Sequence, residues 1–327
     1  MSDTPIELRV WRQFLAVAEE LHFGRAAQRM HMTQPPLTQA IAQLERTLGL
    51  LLFDRTRRRV ALTPAGEALL PDVREVLARA HALPARARAA AQGEVGRIRL
   101  AFVSTVGFEQ LPAWVRAFRS ECPQVALELL EATGDVQLQW IERGEIDAGL
   151  LLHSPQFAPP GLAGLRVARE PLVLALPSAH PLAMHADAPP LSAVLAEPLV
   201  IFPRRILPSV YDAIFALYHA AGHSPQVAQE AIQMQTIVNL VAAGLGLAFV
   251  PQSVMQFQRP GVVYRRVALP PRRQGPALPE CETRLVWNAA AASPALVRFV
   301  AFVQALKART GEEGEAGAET PGESVLL

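Results

Sequence analysis

Residues 23–49, FGRAAQRMHMTQPPLTQAIAQLERTLG, restrict the fold more than any other stretch of the chain. They predict a short helix over 24–30, a turn at His31 and Met32, and a second helix opened by Thr33. Ala26 and Ala27 are small residues where another helix can approach closely. Thr33 is a good N-cap type, because its hydroxyl can accept from the orphan amides of the next turn. Gln34, Pro35 and Pro36 fall in that first turn, where proline is tolerated because those amides have no intrahelical partner. Leu37, Ile41, Leu44 and Leu48 then recur at spacings of four, three and four, which marks one buried helix face. The remaining surface, Gln34, Thr38, Gln39, Gln43 and Arg46, is polar and mostly amide. A helix fits the major groove of DNA, where Gln pairs bidentately with adenine and Thr reaches a base edge or a thymine methyl. An ordinary amphipathic helix with a solvated face carries the same pattern, so the flanking residues must decide.

Upstream, residues 6–20 predict a helix with Leu8, Trp11, Phe14, Leu15 and Ala18 on one face, packed under the other two. Downstream, residues 51–53 predict a short strand and 60–62 its return, with Arg55, Arg57, Arg58 and Arg59 crowding the loop between them. That is a β-hairpin wing with an arginine-rich tip. Residues 1–65 hold nine arginines against six acids, a net +3. Guanidinium groups beside a recognition helix are placed to clamp phosphates, which sets register and makes affinity salt-dependent. A solvated loop is the plainer reading of the same cluster.

From residue 14 to residue 66 the sequence resembles the winged helix-turn-helix of LysR-type transcriptional regulators. The matching features are Phe14 to Ala18, Phe23 with Ala26 and Ala27, Gln34 to Leu37, Ile41, Leu44 with Glu45, Leu48 with Gly49, Leu52 to Arg55, and Leu62 to Gly66. Gln39 stands where the family pattern carries an arginine. The DNA-contacting candidates are Thr33, Gln34, Pro35, Thr38, Gln39, Arg55, Arg57 and Arg58.

At 327 residues the chain is long enough for two domains. Half its residues are apolar, and the net charge is only +1, so any basic surface must be local. Cys122 and Cys281 lie far apart with no CxxC, which suits a reducing cytosol and no structural disulfide. The N-terminus has no secretory pattern, and the longest apolar run, residues 237–250, contains Asn239 and is too short to span a bilayer.

Thr63, Pro64 and Glu67 open a further helix reaching to about residue 92. In the family this is the linker that pairs two copies. Pro71 and Pro84 lie inside it and predict a bend or break near Pro84. Beyond Gly93 and Gly96 the texture changes to alternating strands (98–103, 125–131, 148–152) and helices (111–120, 136–143), which implies a parallel sheet. Residues 165–267 repeat that texture, with strands at 172–176, 199–202 and 247–250 and helices near 210–221 and 234–243. A strand near 284–287 and a helix over 294–308 can return to the first lobe.

The expected architecture is therefore α+β and multidomain. It comprises a winged helix-turn-helix (1–65), a long linker helix (66–92) and a two-lobed α/β effector domain (93–309). The effector domain resembles that of the same family and of periplasmic binding proteins, with lobe I at 93–166 and 268–309 and lobe II at 167–267. Residues 310–327, with five glutamates and no basic residue, are expected to be a disordered acidic tail.

In open α/β sheets ligands bind beyond the carboxyl ends of strands. That rule selects Ser104, Thr105 and Thr133 in the first lobe and Phe202, Pro203, Arg204 and Arg205 in the second. The resemblance places Ser104, Thr133, Phe202 and Pro203 on effector-contacting positions. An arginine grip on a carboxylate makes a small organic anion the expected effector, an aromatic acid among the candidates. His219 and His223 have the spacing of a helical metal pair, but Gly222 should end that helix and no third ligand stands out. Neither a cofactor nor a nucleophile–base motif is indicated.

The sequence thus points to a cytoplasmic regulator, not an enzyme, acting as a homodimer or homotetramer on double-stranded promoter DNA. A small-molecule effector would control it, and RNA polymerase is a further candidate partner; no membrane is involved. The alternative is a two-lobed solute receptor or enzyme whose N-terminal domain serves assembly.

Overall fold

The computed structural model describes residues 5–55, 59–108, 110–155, 157–184, 187–269 and 277–310. The acidic tail therefore lies outside the described residues. The chain divides into two compact units, Met1–Arg88 and Ala89–Leu327.

In the first unit, α1 (Leu8–Glu20), α2 (Phe23–Arg29) and α3 (Gln34–Leu48) pack together. A short antiparallel hairpin follows, β1 (Phe53–Arg55) with β2 (Val60–Leu62), and then α4 (Pro64–Ala91). Phe14, Val17, Ala26, Leu37, Ile41, Leu52 and Phe53 form the core and are nearly inaccessible. The buried stripe of α1 is rotated from the sequence expectation. Leu8 is 42% exposed, while Ala16, Val17 and even Gln13 are buried. Gln13 reaches across to donate from Nε2 to the Met32 sulfur at 3.7 Å, tying α1 to the turn before α3. The first strand lies two residues later than expected, so Arg55 sits in the ladder opposite Val60 and not at a loop tip.

Thr63 anchors α4. Its hydroxyl donates to the Leu51 carbonyl at 2.7 Å and accepts from the Gly66 amide at 3.1 Å. A side chain at Gly66 would meet the Leu52 carbonyl oxygen at 2.4 Å, which is why the turn requires glycine. The helix runs unbroken from Pro64 to Ala91 with Pro71 and Pro84 inside it, so of the bend or break expected near Pro84 the break does not occur.

The second unit begins with β3 (Gly96–Phe102), α5 (Gln110–Glu121), β4 (Val125–Glu131), α6 (Gly134–Glu142) and β5 (Ala148–His153). The β3–β4 and β3–β5 pairs are parallel, as the alternation predicted. The long β6 (Ala163–Pro177) leads into the second lobe. There α7 (Pro181–Met184), α8 (Leu191–Leu195), β7 (Leu199–Ile201), α9 (Pro208–Ala220), β8 (Val227–Glu230), α10 (Met234–Ala242), β9 (Ala248–Pro251) and β10 (Val262–Arg265) follow. The chain then returns through β11 (Glu280–Trp287) and ends in α11 (Pro294–Thr310).

The sheet is mixed, in the order β10-β6-β11-β5-β3-β4, with β9 also on β6. Along β6, residues 163–171 pair with β11 and residues 172–177 with β9 and β10, all antiparallel. One strand thus serves both lobes. One core holds Leu174, Ile201, Ile214, Tyr218, Val238 and Phe249; another holds Ile98, Leu100, Phe118, Leu150, Leu285 and Phe299. Cys281 belongs to the former, its thiol pushed well up by burial, and Cys122 to the latter, accepting from Arg298 Nε at 3.1 Å.

Asp147, immediately before β5, accepts from the Arg99 amide and from Arg99 Nη2, both at 2.7 Å. Burial alone would raise its pKa, but the hydrogen bonds and charge of Arg99 outweigh that and hold it below the usual carboxylate range. A depressed carboxylate contributes stability above its unfolded pKa, and that contribution is lost as pH falls through the folded value. Asp147→Asn should therefore cost about 1–2 kcal/mol at neutral pH, reduced by the pair's partial exposure. In thermal melts its deficit against the parent should shrink below about pH 4; an equal deficit at every pH would refute the assignment.

Candidate functional site

The first turn of α3 stands in solvent. Thr33, Gln34, Pro35, Pro36 and Gln39 are exposed and Thr38 is half-buried, while Leu37, Ile41 and Leu44 on the opposite face are at most 2% exposed. Thr33 is the N-cap by position, yet its side chain makes no capping bond, contrary to expectation. The Thr38 hydroxyl donates to the Gln34 carbonyl at 3.1 Å, which leaves its methyl and a lone pair for an outside partner.

Behind this surface lies a buried carboxylate that the apolar pattern of α3 did not reveal. Glu45 is 6% exposed, and its Oε1 accepts from the amides of Leu52 and Phe53 at 2.9 and 3.1 Å. Its Oε2 takes Arg55 Nη2 at 2.7 Å, and the Arg55 guanidinium lies 4.8 Å from the centre of the Phe23 ring. Arg55 thus joins β1 to α3 and α2, with a third of its side chain exposed. A signal was available: an acid on the apolar side of a helix, eight residues before the strand it holds. Arg57 and Arg58 lie outside the described residues.

In the second unit a cleft of about 50 Å³ is lined by Val103, Ser104, Thr105, Ala132, Thr133, Gly134 and Leu152. Its other wall is Phe202, Ile206, Leu207, Ile232, Gln233 and Met234. Four of the effector candidates, Ser104, Thr105, Thr133 and Phe202, therefore converge from both lobes. Pro203, Arg204 and Arg205 are not among the lining residues. Pro203 opens a turn, its carbonyl accepting from the Ile206 amide at 3.0 Å. Arg204 is 64% exposed and held bidentately by Asp212, with both contacts at 2.7 Å, and Arg205 is exposed. Gln233 and Met234 were missed because β8, which precedes them, has all four residues exposed and carries no apolar pattern. His219 sits in the last turn of α9 and His223 beyond its end, so the two do not share a helix face.

Residues 8–67 match the family model for bacterial regulatory helix-turn-helix proteins of the lysR family, and residues 91–308 match the LysR substrate binding domain. The chain belongs to the LysR family. This LysR-type regulator is 43% identical over 300 residues to the HTH-type transcriptional regulator IlvR of Caulobacter vibrioides, covering 91% of this chain and 97% of that one. It is 38% identical to AlsR of Bacillus subtilis over 80% of this chain and 86% of that one. Among solved structures, full-length CbnR complexed with its target DNA superposes with a TM-score of 0.75 at 30% identity, over 92% of this chain and 99% of CbnR. The LysR-type regulator is accordingly a DNA-binding transcriptional regulator with a substrate-binding effector domain, and not an enzyme. None of its described helices is long and apolar enough to cross a membrane.

Proposed function

We propose that this regulator acts in the cytoplasm as a homo-oligomer, reads an operator through the first turn of α3, and answers to a small organic acid in the interlobe cleft. The observation that carries the DNA half is the outward set Thr33, Gln34, Pro35, Thr38 and Gln39 above a buried Leu37, Ile41 and Leu44. Gln39 and Gln34 would read base edges. Arg57 and Arg58 would add phosphate contacts, while Arg55 chiefly fixes the wing. The CbnR relative bound to its target DNA supports the same use of the first unit. Helix α4 would link two copies, as exposed Val76 and Leu83 on its surface favour. In the second unit Ser104, Thr105, Thr133 and Phe202 would contact the effector. The effector can shift the DNA-bound arrangement only through its differential affinity for the two states.

Footprinting on a cognate promoter, at a series of salt concentrations, tests this. Each phosphate neutralised should steepen the slope of log K against log salt by about 0.9. Gln39→Ala should weaken specific binding by roughly 5- to 150-fold and relax specificity at one base pair, leaving the salt slope unchanged. Salt-independent binding, or a Gln39→Ala variant with the parent's operator preference, would refute the reading.

A further inference from the structure

We infer that His153 is a proton switch at the joint between the two lobes, its ring held by Ser154 when neutral and by Glu282 when charged. His153 ends β5 and is 2% exposed. Its Nδ1 lies 2.7 Å from the Ser154 carbonyl oxygen. A carbonyl can only accept, which assigns the proton of the neutral ring to Nδ1 and leaves a lone pair on Nε2. That Nε2 is buried and has no hydrogen-bond partner among the described residues. Glu282 of β11 stands directly opposite His153 in the ladder, so the two side chains share one face of the sheet. Glu282 is 3% exposed, and its Oε2 likewise has no hydrogen-bond partner among the described residues. Its ion-pair contacts are long, 3.6 Å from Oε1 to Arg166 and 3.9 Å from Oε2 to Arg284. A buried carboxylate oxygen in need of a donor therefore neighbours a buried nitrogen that becomes a donor when it takes up a proton.

The bond that the ring makes in its neutral form reaches the second lobe. Ser154 begins the crossing from β5 to β6, and its amide donates at 3.0 Å to the hydroxyl of Ser209, in the first turn of α9. The neutral ring thus steadies the residue that links the lobes. A charged ring that turns Nε2–H to Glu282 gives up the Ser154 carbonyl, and the link to Ser209 slackens. Burial is the largest influence on the ring and lowers its pKa; Arg284 lowers it too, against the Ser154 carbonyl and Glu282, and the net shift is downward. No other charge acts on it: residues 154–162 carry none, and Asp135 and Glu142 of α6 and Asp212 of α9, the helices packed on β5, are not among its influences. Arg169 of β6, opposite Glu282, is paired with Glu280. A base with a depressed folded pKa is protonated first in the unfolded chain. Its contribution to stability is complete above about pH 6.5 and is lost as pH falls toward the folded value. The joint is locked at neutral pH and yields to acid, so the geometry between the lobes answers to protons independently of any ligand in the cleft.

Hydrogen exchange at the Ser154 amide of the full-length protein, corrected for the intrinsic pH dependence of exchange, reads the joint. Between about pH 7.5 and about pH 5.5 its protection should fall at least tenfold, the limit for one proton being roughly tenfold per pH unit. His153→Asn keeps a donor at the Nδ1 position for the Ser154 carbonyl and cannot titrate, so its protection should stay level over this range. Glu282→Gln removes the charged acceptor and should move the fall to lower pH. Level protection in the parent overturns the switch, and so does an equal fall in His153→Asn. A Glu282→Gln protein that loses protection over the parent's pH range overturns it as well, and this variant decides if His153→Asn does not fold.

Discussion

Glu45→Ala should loosen the wing and recognition helix together, at a cost of about 3–5 kcal/mol to the first unit. The carboxylate accepts from two backbone amides, Leu52 and Phe53, whose residues are 0% and 1% exposed. Deleting it leaves both donors without an acceptor in a dry environment, and each such loss costs about 1–3 kcal/mol. Arg55 loses its partner in the same step and, among the described residues, retains the face of Phe23. Glu45→Gln is the informative companion. It keeps an oxygen for the two amides and removes only the charge opposite Arg55, so its cost should be about half as large. Amide exchange at Leu52 and Phe53 in the full-length protein reads this directly. A loss of 3 kcal/mol corresponds to more than a hundredfold drop in protection, if these amides exchange through opening of the unit. Operator affinity should fall with it, since the first turn of α3 and the wing would no longer share one geometry. Unchanged protection in Glu45→Ala would show that the carboxylate holds nothing together.

The reason the burial and role of Glu45 escaped the sequence reading is the reason much else was legible. Helix α3 announces itself through Leu37, Ile41 and Leu44, a local period that needs no knowledge of distant residues. The same holds for Ser104, Thr105 and Thr133, which follow strands rich in apolar residues, Ile98, Leu100, Ala101 and Phe102 in β3 and Val125, Leu127, Leu129 and Leu130 in β4. What escaped depends on pairs remote in sequence. Only residues 172–176 of β6 were legible as a strand, because the preceding part carries Arg166, Arg169 and Glu170. In the fold Arg169 meets Glu280 of β11 at 2.5 Å and Arg166 meets Glu282 at 3.6 Å. Cross-strand ion pairs, more than a hundred residues apart in sequence, turn a polar segment into a sheet interior. Arg204 shows the converse: a basic residue after a strand suggested an anion grip, and a local Asp212 eight residues on takes it instead.

Gly246→Ala should be severely damaging to the effector domain, at about 3–5 kcal/mol. Its φ of +155° lies where side chains are strained, and a Cβ there would stand 2.3 Å from the Pro198 carbonyl oxygen. That oxygen is already committed to the Leu247 amide at 2.8 Å, while the Leu247 carbonyl accepts from Val200 at 2.7 Å. The methyl therefore cannot be accommodated without parting β9 from β7. Gly244, two residues earlier, is the matched control. It also has a positive φ, +81°, but nothing lies within 4 Å of its Cβ position, so Ala there should cost only about 1 kcal/mol. Denaturant unfolding of the two variants should separate them by several kcal/mol; equal stabilities would refute the close approach. The functional consequence follows from chain order. Strand β7 ends at Ile201 and delivers Phe202 directly to the cleft wall. A Gly246→Ala protein that still folds should bind its operator normally while its response to effector weakens, because the damage is confined to the lobe that carries that wall.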